Sequence, residues 1–167
     1  MQVVAQAIFL ILIVQTTVCL SQTSALAPYL KIKPFFSTRE DVEKFYGKGE
    51  FFINDYFRTY KSNDYQVSVG YSLGGCERKN PIWNIPEWTV TEIYYGRWKN
   101  PPKLKDLIGN GKNFKKSYES DVLNHVQYYD EKNGIKILYD EEEKGVLNIK
   151  ILPSQKDDRK FDCDNLK

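Results

Sequence analysis

V-Q-Y-Y-D-E-K-N-G-I-K-I-L-Y-D-E-E-E-K-G-V-L-N-I-K-I-L, running from Val126 to Leu152, is the stretch that decides the fold. Two turn signals divide it, E-K-N-G ending at Gly134 and E-E-E-K-G ending at Gly145. Asn-Gly between alternating apolar runs is the strongest short-range hairpin signal. Ile135, Ile137 and Tyr139 fall on one side of a strand, and Lys136 and Leu138 on the other. Leu147, Ile149 and Ile151 form a second apolar row, opposed by Asn148 and Lys150. A period of two means one buried face and one largely wet face. The stretch therefore predicts a three-stranded antiparallel meander.

Working outward, Trp88 to Trp98 reads as a further strand, apolar in part on both faces. Tyr56 to Ser72 reads as a hairpin turning at Ser62-Asn63-Asp64, with Val67, Val69 and Tyr71 inward. The clearest helix is Ser37 to Gly47. Ser37 and Glu40 fit a capping box, with Thr38 as a rival cap, and Gly47 supplies the stop. Val42, Phe45 and Tyr46 recur at helical spacing, which predicts docking through Phe45. Tyr29 to Lys33 suits a short edge strand, and Leu104 to Ile108 one helical turn stopped by Gly109. Asn110 to Asn124 reads as a long polar loop, and the chain beyond Pro153-Ser154 as a charged tail. A faint repetition runs through this order: a helical segment before the hairpin 56–72, and another before the hairpin 126–139.

Met1 to Ser21 has the pattern of a secretory signal peptide. Ala7 to Val14 is an apolar run too short to span a bilayer. Cleavage after Ser21 competes with cleavage after Ala27, where Pro28 follows. Residues 22–28 then form a flexible tether and 29–167 a single domain. No transmembrane helix is expected in the mature chain. Membrane anchoring would require lipidation of Cys19, which is preceded by Val18 rather than a small residue. A periplasmic or secreted chain with two remaining cysteines, Cys76 and Cys163, predicts one disulfide, two free thiols being the alternative. Closing a loop of roughly ninety residues is worth about 4–5 kcal/mol in the chain-entropy treatment.

Charge and composition exclude several functions. The 167 residues carry 24 basic and 22 acidic side chains, a net charge of +2. That is no electrostatic footprint for nucleic acid. His125 is the sole histidine, so a Ser-His-Asp triad or a histidine-rich zinc site lacks its parts. No glycine-rich loop opens a helix, which removes the usual phosphate cradle. The acids Asp130, Glu131 and 140–143 fall in turns, and those at 157, 158, 162 and 164 lack calcium-loop spacing. No cofactor, metal or catalytic residue is expected.

Aromatic residues make up 14% of the chain, more than a core of this size needs. Trp83, Trp88, Tyr94, Trp98 and Tyr128 are the candidate binding residues. Tyr and Trp on a sheet supply rigid amphipathic area for a protein or for the flat face of a sugar ring. Cross-strand pairs that stabilise the sheet are the competing use.

K-I-K-P at Lys31 to Pro34, S-T-R-E-D-V-E at Ser37 to Glu43, W-N-I-P at Trp83 to Pro86, the Asn133-Gly134-Ile135 turn and P-S-x-K-D…C at Pro153 to Cys163 together resemble a family of uncharacterised secreted proteins of acidobacterial type. Thr38, Val42 and Gly47 are also similar to the T-x-x-x-V-x-x-x-x-G helix of the β-lactamase-inhibitor-protein-like fold, shared by small outer-membrane lipoproteins that assist barrel assembly. The first resemblance implies export of a single domain. The second implies a short helix before an antiparallel sheet. This chain departs from the second in its poor lipobox and the lack of a clear second helix.

The expected fold is α+β, an antiparallel sheet of about five or six strands with one or two short helices packed on one face. The expected function is that of a non-catalytic interaction module of the cell envelope, binding a protein through the sheet face or the Trp83–Trp88 loop. Glycan or small-ligand binding is the alternative, and a carboxylate hydrolase comes last.

Overall fold

The computed structural model describes residues 25–52, 54–76, 82–118 and 124–166. The expected signal peptide, Cys19 and the first residues of the tether lie outside them. The fold is α+β. Its strands are β1 (Glu50–Phe52), β2 (Asn54–Lys61), β3 (Gln66–Tyr71), β4 (Val90–Gly96), β5 (Lys115–Tyr118), β6 (His125–Asp130), β7 (Ile135–Asp140) and β8 (Gly145–Ile151). They form one eight-stranded antiparallel sheet in the order β1-β2-β3-β4-β8-β7-β6-β5. Two additions carry it past the expected five or six strands. β1 pairs short and bulged with β2, and β5 lies inside the stretch expected to be a loop. All four residues of β5 are exposed, so no hydrophobic alternation betrays it.

The order has an internal logic. A helix followed by four strands occurs twice, and the fourth strands of the two halves meet at the centre. The first helix is α1 (Arg39–Tyr46) and the second α2 (Leu104–Ile108). Val42 of α1 and Leu107 of α2 join the same cluster as Val67, Val69, Ile93, Tyr95, Ile137 and Ile149, which places both helices on the apolar face. The third helix, α3 (Gln155–Phe161), replaces the expected charged tail; Ser154 caps it by accepting from the Asp157 amide at 3.2 Å.

Local chemistry explains several departures. Ser37 is not the cap of α1, because its Oγ already accepts from the Lys33 amide at 2.9 Å. Thr38 takes the role: it accepts from the Asp41 amide, while Asp41 accepts from the Thr38 amide at 3.0 Å. The inward side of α1 is Arg39, Val42, Glu43 and Tyr46. Phe45 lies one step off it and is 57% exposed, so the expected docking through Phe45 does not occur. The expected edge strand at Tyr29 to Lys33 is instead a 3₁₀ turn, Ala27–Leu30, followed by bends. Leu26, within the stretch read as tether, is buried against the core.

The meander holds, with one shift. Both of its turns are closed by the aspartate that precedes them. Asp130 accepts from the amide and Nδ2 of Asn133, and Asp140 from the amides of Glu142 and Glu143. Asp130 is buried rather than solvated. Gly134 has φ +68°, and a Cβ there would collide with the carbonyl oxygens of Leu152 and Pro153. A bulge at Leu138/Tyr139 changes the register, so Val146 faces inward in place of Leu147.

Cys76 and Cys163 are joined in a disulfide, Cα–Cα 5.6 Å, that spans 87 residues. It pins the C-terminal segment to the loop after β3. Cys163 N donates to Ile82 O at 3.1 Å, and Asn84 N to Phe161 O at 2.7 Å.

Candidate functional site

In an antiparallel sheet, residues directly opposite one another share a face. Following the pairing from β2 outward gives one continuous row on the face away from α1 and α2: Thr59, Ser68, Tyr94, Lys150, Lys136, Tyr129, Lys115. The next row holds Gln66, Asn148, Leu138 and Gln127. These inner positions are half-buried by one another. The other side of the same strands carries Val67, Tyr95, Ile149 and Ile137, all fully buried.

The middle of this open face is the sequence Tyr94, Lys150, Lys136, Tyr129 on four adjacent strands. The Lys150 ammonium lies 4.5 Å from the Tyr94 ring centre, and that of Lys136 lies 4.8 Å from Tyr129. Such placements attract through the ring quadrupole. Lys150 also pairs with Glu92. Burial pulls the Lys150 ammonium down, but hydrogen bonds to Glu92 and Tyr94 outweigh it, and the net shift is upward. One row beyond Leu138 and Gln127, His125 and Asp140 approach to 3.5 Å.

One end of the open face is bounded by α3 and Trp83. The Trp83 indole donates to Asp158 at 2.8 Å, and its ring meets Phe35 edge-on at 5.1 Å. Between Trp83 and Tyr129 runs a groove of about 490 Å³, edged by Glu92, Glu131, Asp158 and Arg159.

The five expected binding residues do not form one patch. Tyr94 lies in the open row, and Trp83 lies at one end of the open face. Trp88 is under α1, 4.8 Å from the Arg39 guanidinium and edge-on to Tyr71. Trp98 joins Tyr29 and Tyr65 in a ring cluster and donates to Leu147 O at 3.2 Å. Tyr128 packs edge-on to Tyr139. These last three serve the apolar side. Sequence reasoning missed Lys136, Lys150 and Tyr129 as site residues. The signal was the alternation that put both lysines on the wet side of the meander; the bulge hid the fact that they stand opposite each other.

Other features offer less. A cleft of about 1020 Å³ lies on the apolar side between the N-terminal segment and α2, floored by Ile135 and Ile151. Among the described residues no group of three or more His, Cys, Asp or Glu is placed to hold a metal. The carboxyl groups that shift, Glu40, Asp41 and Asp140, all move down, each chiefly through backbone amide hydrogen bonds. Among the described residues no helix is long and apolar enough to cross a membrane. Compared with family models, curated proteins and solved structures, the chain gives no match in any of the three.

Proposed function

We propose that this chain is a non-catalytic interaction module of the cell envelope that docks a protein partner on the open face of its sheet. The observation that carries the reading is the Tyr94–Lys150–Lys136–Tyr129 row, set in central strands and turned away from α1 and α2. Tyrosines held rigid by neighbouring side chains give contact area at little entropic cost. Placement in the envelope draws support from the disulfide, which belongs to an oxidising compartment.

Site-specific photo-crosslinking in the native host tests the docking face. A crosslinker replacing Gln127, on the open face, is expected to give a discrete protein adduct. One replacing Phe45, exposed on α1, is expected to give none. An adduct from Phe45 alone, or none from either, overturns the reading.

The groove beside Trp83 favours a second reading, glycan binding. Two rings with Glu131 and Asp158 between them suit a sugar. Quenching of tryptophan fluorescence by envelope oligosaccharides, lost in Trp83→Ala, would establish it.

A further inference from the structure

Lys136 and Lys150 stand directly opposite each other on β7 and β8. Like charges in that relation destabilise a sheet. Lysines that protect a sheet from aggregation sit on edge strands, but β7 and β8 are the sixth and fifth strands of eight. Edge protection therefore does not account for the pair. Glu92 neutralises Lys150. Among the described residues no carboxylate lies within ion-pair distance of Lys136, whose ammonium is steadied over Tyr129 instead. The middle of the open face thus carries one uncompensated cation beside a second that is already half-buried.

Resting on the docking face as the interaction site, we propose that the partner presents an acidic segment, one carboxylate of which sits between Lys136 and Lys150, with Tyr94 and Tyr129 flanking it. The geometry is suited to this. Lys150 stands over Tyr94 and Lys136 over Tyr129, so a carboxylate seated between β7 and β8 would have one ammonium on each side, and charge-assisted hydrogen bonds are short and strong. The rings on either side exclude water and hold the ammonium groups in place. Nucleic acid would need a far broader basic surface than a chain of net charge +2 supplies.

The test titrates the full exported chain with short poly-L-glutamate, poly-L-lysine of equal length and oligogalacturonate, reading backbone amide shifts by NMR. Poly-L-glutamate is expected to give saturable shifts at Tyr94, Tyr129, Lys136 and Lys150. They should weaken with salt and by about tenfold or more in Lys136→Gln. Poly-L-lysine should move none of them. Equal affinity in wild type and Lys136→Gln, or shifts confined to other residues, overturns the proposal. Binding of oligogalacturonate without poly-L-glutamate overturns it in favour of an anionic glycan. The Gln127 crosslink separates the two levels. An adduct that persists undiminished in Lys136→Gln keeps the docking face but overturns the acidic segment, whereas a wild-type chain with no adduct overturns the docking face itself.

Discussion

The two faces of the sheet are made from the same strands, yet they answer to different demands. Ile149 and Asn148 are neighbours in sequence; one is fully buried and the other half-open. The apolar face is a row of Val, Ile and Tyr closed over by α1 and α2. Every residue in it is what burial alone would select. The open face sets two lysines against each other between two tyrosines, a juxtaposition of like charges that costs stability across the two strands. The first face holds the molecule together, and the second is the one on which docking of a partner is proposed.

The largest single effect is expected at the Cys76–Cys163 bond, which closes a ring of 87 residues. Replacing both cysteines by serine is expected to lower stability by roughly 4–5 kcal/mol, the loop-closure value for so long a ring. Urea denaturation measures it directly. Loss of much less would mean that α3 and Trp83 stay in place unaided.

Next in size is a test across the faces. Ile149→Ala leaves a cavity in the core and should cost about 2–5 kcal/mol. Asn148→Ala, one residue away on the other face, should stay within about 0.5 kcal/mol. Similar losses from the two would erase the distinction between packed and open rows.

The packed face was largely legible in the sequence, and the open face was not. Alternation over Ile135, Ile137, Ile149 and Ile151, with Asn133-Gly134 between, gives strands and a turn from local chemistry. The disulfide was legible from the cysteine count and the expected export. Phe45 misled because Val42 and Tyr46 satisfy helical spacing with or without it; only Arg39 and Glu43, charged yet drawn inward by Trp88 and Arg58, reveal the true face. β5 was missed because Lys115 to Tyr118 buries nothing and is held by backbone pairing to β6. The Lys136–Lys150 pair depends on register across a bulge, which no single strand encodes. Trp88, Trp98 and Tyr128 looked available because ring counting cannot show which rings pack on one another.

Tyrosine ionisation sharpens the contrast further. Burial raises Tyr46 to about 12 and pushes Tyr60, Tyr71 and Tyr95 upward as well. Their folded values exceed the unfolded value near 10, so the stability they contribute is complete below about pH 10. It is lost as pH rises from there through the folded values. Denaturation midpoints should therefore fall steeply above about pH 10, with tyrosinate absorbance rising at the unfolding step. Tyr129, on the open face, shifts the same way, chiefly by burial, so the rise is not confined to one side. If the core tyrosines ionised before unfolding, the apolar face would be wetter than the structure has it.

Phe45→Ala gives the smaller effects their scale. With the ring more than half exposed, truncation should cost under about 1 kcal/mol, against the 3–5 kcal/mol of a buried Phe. A large loss would mean that α1 is rotated from the position described.

Smallest in energy, and the most telling, is Lys136→Glu. If the opposed lysines are retained only for binding, this change should raise stability. It replaces a repulsion across β7 and β8 by an attraction, worth about 0.2–1 kcal/mol. The same change puts a negative charge where the partner's carboxylate is proposed to sit, so poly-L-glutamate shifts at Tyr94 and Tyr129 should vanish. Stability and binding then move in opposite directions from one substitution, which no purely structural role for Lys136 would produce. A chain that loses stability with Lys136→Glu would show instead that the lysine over Tyr129 belongs to the sheet's own packing, and the open face would differ from the apolar one in composition alone.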